Sequence, residues 1–193
     1  MIWFTADTHL WHPKIIEYCN RPFKTVEEMS EVLLANWNFK VSKKDMVFHL
    51  GDFGFSSDVD RIDMMARALN GSIHLVYGNH DEERKLKKLN CFAWQGHLKY
   101  LRVRMPDGRM QKIMMSHYPM CAWRAGHKGS WMLHGHSHGT HVGLGKKMDV
   151  GVDAHNFFPI SMDDVNAYMA SRSIRIEDYH AGLIREDLID GSN

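Results

Sequence analysis

The sequence predicts an α/β protein carrying a second sheet, and three observations predict it. Short apolar runs recur, and each delivers Asp, Asn or His at its end. Ile2-Trp3-Phe4-Thr5-Ala6 runs into Asp7-Thr8-His9, and Asp45 to Leu50 runs into Gly51-Asp52. Leu75-Val76-Tyr77 runs into Gly78-Asn79-His80-Asp81, Lys112 to Ser116 into His117, and Trp131-Met132-Leu133 into His134-Gly135-His136-Ser137-His138. Apolar residues at helical spacing separate the early runs, the alternation of an α/β fold. Between Leu98 and Met115 the pattern becomes two strand-like runs around Pro106-Asp107-Gly108, a hairpin that suggests a second sheet packed on the first. Loops at the carboxyl ends of strands are where α/β folds place chemistry, because the chain there is free of the sheet's hydrogen-bonding demands.

In chain order, Pro13 suits the first turn of a short helix and Pro22 ends that segment. Thr25 with Glu28 three residues on reads as a capping box. Val26, Met29, Val32, Leu33, Asn36 and Trp37 then keep the spacing of a helix whose stripe is buried on the sheet. Val59, Ile62, Met65, Ala66 and Leu69 form a second such stripe before the strand that ends at Gly78. Glu82 to Leu89 reads as a charged, solvated helix. It lacks the basic groove with aromatic platforms that single-stranded nucleic acid requires. Met148 to Val152 reads as a closing strand, and Ser161 with Asp164 caps a terminal helix running to about Ala170. Gly143-Leu144-Gly145-Lys146 lacks the spacing of a phosphate-binding P-loop.

Composition narrows the class. A chain of 193 residues without repeats or linkers reads as one domain, residues 1–193, large enough for a substantial core. Lysine plus arginine number 24 against 23 aspartate plus glutamate, so no strong field attracts nucleic acid or a membrane surface. Cys19, Cys91 and Cys121 are odd in number and far apart, which suits a reducing compartment better than a disulfide framework. Asp7 interrupts the N-terminus before any secretory apolar core, and no apolar run approaches the ~20 residues of a membrane helix. The expectation is a cytoplasmic protein, of cellular or phage origin, with no membrane partner. Oligomeric state is not expressed in the sequence.

Carboxylate oxygens, an amide oxygen and imidazole nitrogens gathered at five strand ends form a donor set for borderline and hard divalent metals. The ordered blocks Asp7-x-His9, Gly51-Asp52, Gly78-Asn79-His80-Asp81, His117 and Gly135-His136-Ser137-His138 resemble the pattern of the calcineurin-like metallophosphoesterases. Each block alone is weak; five in order, each after a strand-like run, are specific. The matched span, residues 5 to 138, covers about two thirds of the chain.

The resemblance implies a four-layer α/β/β/α sandwich of two mixed β-sheets flanked by helices. It also implies a dinuclear metal centre that hydrolyses phosphate esters, phosphodiesters favoured, through a hydroxide bridging two ions and attacking phosphorus. Residue by residue, it makes Asp52 the bridging carboxylate. Asp7, His9 and His138 would complete one metal site, and Asn79, His117 and His136 the other. His80 would assist the leaving group without holding metal, with Asp81 fixing its tautomer. Manganese is the expected ion, and Fe, Zn and Ni tolerate the same donors.

For substrate contacts, His12 and Arg21 flank the first ligand pair closely enough to reach a phosphate, and surface positions are the alternative for both. Trp123 and Arg124 follow His117 and could line the cleft, Arg124 as a bidentate phosphate contact; a structured loop is the alternative. The run Gly51-Asp52-Phe53-Gly54-Phe55-Ser56-Ser57 lacks the Asp-Arg pair of the serine/threonine phosphatases, which argues against phosphoprotein substrates. The chain looks most like small stand-alone bacterial and phage members. Two rival readings remain: a nuclease on short nucleic acids, and a protein-binding scaffold that has lost turnover. The scaffold predicts eroded ligands, and all seven positions are intact.

Overall fold

The apolar runs of the sequence become nine strands among residues 1–55, 59–141 and 143–175, the part of the chain that the computed structural model describes. They are β1 (Ile2–Thr5), β2 (Met46–His49), β3 (Ser72–Val76), β4 (Trp94–Gly96), β5 (Leu98–Arg104), β6 (Met110–Ser116), β7 (Trp131–His134), β8 (Lys147–Asp149) and β9 (Ile160–Ser161). One sheet has the order β4-β3-β2-β1-β9, parallel except for β9. The other has the order β5-β6-β7-β8, with β5 and β6 antiparallel as the hairpin pattern predicted and the rest parallel. Both sheets are therefore mixed, and helices flank them.

Alternation along the strands decides which residues face which layer. Trp3, Val47, Ile73 and Leu75 share a core with Met29, Leu33 and Trp37 of the helix Val26–Lys40 and Ile62 and Met65 of the helix Val59–Ala68. Phe4, Phe48 and Val76 point the other way, into a second core with Ile113, Met115, Trp131 and Leu133 of the other sheet. The pairing of Phe4 with Phe48 stacks their rings at 5.8 Å. A terminal helix, Met162–Ala170, adds Met162, Val165 and Met169 to this inter-sheet core.

Helix ends follow local chemistry, with one departure. Thr25 Oγ1 accepts from the Glu28 N–H at 3.1 Å, but the Glu28 carboxylate reaches back to the Lys24 N–H at 2.7 Å, not to that of Thr25. A fully reciprocal box stands at Ser161 and Asp164. The charged segment after Asp81 is helical only over Glu83–Leu86. Two strands lie outside the sequence reading. β4 and β9 span three and two residues, too short for alternation to register, and exist because a neighbouring strand offers an open edge. Ser56, Ser57 and the chain beyond Arg175 lie outside the described residues. No helix among the described residues is long and apolar enough to cross a membrane.

What positions the site is register. Thr5 pairs with His49 and His49 with Leu75, so β1, β2 and β3 end level with one another. Asp7, Asp52 and Asn79 therefore leave the first sheet along a single edge. In the second sheet His134 pairs with Asp149, and the bridge from Ala6 to Gly151 joins the two edges.

Candidate metal centre

Five of the residues that converge on this edge have left-handed backbone: Asp7 (φ 56°), His9 (φ 47°), Asp52 (φ 56°), His136 (φ 68°) and His138 (φ 47°). Such conformations cost free energy in non-glycine residues and persist only where surrounding structure over-determines them. Here the loops tie one another down. Asp7 N–H donates to Gly51 O at 2.9 Å, His9 N–H to Asp52 O at 2.9 Å and Leu10 N–H to Phe53 O at 3.1 Å. His136 N–H donates to both carboxylate oxygens of Asp7, at 3.0 and 2.9 Å. The glycines of the two blocks are needed for close approach: a Cβ on Gly51 would overlap the His117 ring, and one on Gly78 would overlap Asp52.

Two of the groups of donor atoms that could each hold an ion are Asp7 with His9 and His138, and Asp52 with His117 and His136. Asp52 stands between them, with Oδ2 3.5 Å from His9 Nε2 and 3.4 Å from His117 Nε2. Its other oxygen accepts from the His80 N–H at 2.8 Å. His117 Nδ1 lies 2.8 Å from Leu50 O, so that nitrogen carries the proton, and Nε2 presents a lone pair. That lone pair faces Asn79 Oδ1 at 2.9 Å and the Asp52 carboxylate. Three acceptors pointing at one another is an arrangement that a cation resolves. His9 makes the same point from the other group: it is 1 % exposed, and both ring nitrogens lack a hydrogen-bond partner among the described residues. Burial there pushes the His9 imidazole toward its neutral form. Burial, then the carboxylates of Asp149, Asp52 and Asp153, raise Asp7 well above the usual range against the His136 N–H. The donor set fits two divalent cations.

Supporting residues decide how these donors point, and the sequence reading missed the main one. Asp153 Oδ2 lies 2.7 Å from His138 Nδ1, which leaves His138 Nε2 for a metal. Burial would raise the Asp153 carboxyl, but hydrogen bonds from His138 and Arg21 hold it below its ordinary value. Asp153 follows β8 in a short turn, and nothing in its local pattern links it to His138. Replacing Asp153 by Asn is expected to weaken metal binding about 10–100-fold, the usual cost of losing such an orienting carboxylate. Competition titration with a chelator checks this, and unchanged affinity would remove Asp153 from the site.

Two expected roles are corrected. Arg21 does not face a phosphate. Its side chain is fully buried, pairs with both oxygens of Asp153 at 2.8 Å, and donates to Asp7 O at 2.7 Å and Thr8 O at 3.2 Å. Its donors are used inside the protein, so it braces the first ligand loop. Asp81 does not fix the His80 tautomer either. Its carboxylate accepts from the N–H groups of Asp52 (2.8 Å), Phe53 (3.0 Å) and Gly78 (2.8 Å), which locks the second ligand loop to the third. Burial outweighs those three bonds and lifts Asp81 to about 6.

The remaining expected residues divide. His80 stands beside the centre, its ring 5.2 Å from His9, and its nitrogen falls within reach of His9 and Asp52. His12 lies against the same pair, 5.6 Å from each ring. Trp123 donates to Ser130 O at 3.1 Å and Arg124 lies over Tyr100 at 4.7 Å, contacts of a structured loop. Tyr118, which the sequence reading did not single out, packs its half-exposed ring on His136 at 4.6 Å and His117 at 5.0 Å. Thr8 donates to Phe53 O at 2.6 Å, so His49 must donate its Nε2–H to Thr8 Oγ1 at 2.9 Å. Complete burial holds His49 neutral, down to about 3.

A sequence model described as calcineurin-like phosphoesterase matches residues 1–186. The chain is 34% identical over 170 residues to an uncharacterised protein, MJ1445, of Methanocaldococcus jannaschii, covering 84% of this chain and 87% of that one. It is 29% identical over 191 residues to the gene 66 protein of Mycobacterium phage D29, covering 85% of this chain and 93% of the phage protein. Among solved structures, a protein of unknown function, AQ665, from Aquifex aeolicus aligns with a TM-score of 0.68 at 24% identity, covering 87% of this chain and 98% of that one, a likeness of fold.

Proposed function

The chain belongs to the calcineurin-like phosphoesterase family, and from that premise we propose that it hydrolyses phosphodiesters with two divalent ions, manganese the expected one. The observation that carries this reading is the Asp52 carboxylate standing between two sets of donors, with the His117 lone pair turned toward it and toward Asn79 Oδ1. Asp7, His9, His138 and Asp52 would hold one ion, and Asp52, Asn79, His117 and His136 the other. When bound, such a pair acidifies a water and offsets charge on the phosphoryl oxygens.

The chain's own residues do the rest. Asp153 and Arg21 keep His138 and the Asp7 loop aimed, and Asp81 keeps the Asp52 and Asn79 loops in register. His80, whose ring is not tied by any hydrogen bond among the described residues that would hold it off the cleft, delivers or holds a proton at the leaving-group oxygen. The preference for diesters rests on the missing Asp-Arg pair after Asp52. Tested side by side at equal manganese loading, bis(4-nitrophenyl) phosphate is expected to turn over faster than a phosphoserine peptide. A preference for the peptide would overturn the diester assignment.

A further inference from the structure

A cavity of about 580 Å³ opens beside the metal centre, lined by Trp11, Phe55, Ile62, Leu86, Asn79 and His80 among others. Its size falls within the ~300–1,000 Å³ of small-molecule sites. Asn79 and His80 belong both to this wall and to the cluster described above, so the cavity continues from the centre on the His80 side.

Two features define what it takes. Its wall is aromatic and aliphatic. Phe55 is half exposed yet stacks on His12 at 4.5 Å and meets His80 edge-on at 5.9 Å, so the site's own imidazoles set its position. Trp11 has left-handed backbone (φ 65°), and the Arg61 guanidinium lies over its ring at 4.3 Å. The charged residues of the lining, Glu82 and Lys85, pair with each other at 2.7 Å, so the cavity favours an uncharged group over a second phosphate.

We propose that this cavity is a subsite for a planar aromatic group of nucleobase size on the leaving side of the scissile phosphate. The inference rests on the phosphoesterase reading and narrows its substrate to nucleotide-type esters. Adenosine 5′-monophosphate and ribose 5-phosphate differ only in the base, so calorimetry with both on the manganese-loaded protein isolates the subsite. The nucleotide is expected to bind about tenfold tighter, as one base stacked on an aromatic side chain gives. Phe55→Ala is expected to bring its affinity down to that of ribose 5-phosphate, and Trp11→Phe, which keeps an aromatic wall, to lower it less. Equal affinity for the two probes, or a nucleotide preference that survives both substitutions, overturns the subsite. The two readings fail separately. Diester turnover with equal affinities sinks the subsite alone, whereas a nucleotide preference that depends on Phe55 without turnover of any ester sinks the phosphoesterase reading.

Discussion

Replacing Asp52 by Asn is expected to empty both metal positions together. The wild-type chain, reconstituted with manganese and freed of excess ion, should carry close to two equivalents, because Asp52 belongs to one donor group and lies 3.5 Å from His9 of the other. An amide at this position keeps one oxygen to accept from the His80 N–H, so the loop need not rearrange. The other arm then turns an NH₂ group toward both ions where Oδ2 stood. Removing the charge and reversing the dipole act on both sites at once. The loss in affinity should exceed the roughly 10–100-fold that follows from losing an outer orienting partner. Activity should fall in parallel with metal content. Elemental analysis and turnover of bis(4-nitrophenyl) phosphate, measured on the same samples, check this. A variant that retains two equivalents would show that Asp52 does not bridge, and a wild type that stays at one equivalent with full activity would end the dinuclear reading.

His80→Asn should separate chemistry from metal binding. The link from residue 80 to Asp52 is a backbone N–H, which the substitution preserves, so the carboxylate should stay aimed and metal content should stay near wild type. What is lost is the imidazole beside the leaving group. A positioned acid or base contributes about 10²–10⁴ in rate, so turnover of alkyl esters should fall by that order. The deficit should shrink for 4-nitrophenyl esters, whose departing phenolate needs little help from a proton. The opposite result is open to the geometry, since the His80 ring also comes within reach of His9 and Asp52. If His80→Asn sheds metal as Asp52→Asn does, or slows both leaving groups equally, His80 is a ligand or a structural residue and not the acid.

The hairpin between Leu98 and Ser116 illustrates what a sequence makes visible. Alternating residues on both sides of Pro106-Asp107-Gly108 are a local pattern, and β5 and β6 pair where it places them. β4 was not visible because three residues carry no period; Trp94–Gly96 is a strand only because β3 lies alongside. Arg21 and Asp81 were named as site residues, but their tasks were misread for a common reason. A charged side chain near a ligand in sequence invites a role in the chemistry, toward phosphate for Arg21 and toward His80 for Asp81, while burial and hydrogen bonding decide it. Arg21 spends its donors on Asp153, Asp7 and Thr8, and Asp81 its acceptors on three backbone N–H groups.

The sequence by itself determined the α/β class and the order of the five blocks, and the resemblance of those blocks to a known family named the seven candidate ligands. Class and blocks are a matter of residue type at short range: an apolar run, a glycine break, and donors that metals accept. Only the tertiary structure decided that the Asp52 carboxylate lies between two donor groups, that Asp153 aims His138 from another strand end, and that Trp11 and Phe55 wall a cavity beside His80. Those are relations between loops far apart in the chain. They exist because the parallel strands end level, bringing short polar loops within hydrogen-bonding distance, and no local pattern encodes which loop will meet which.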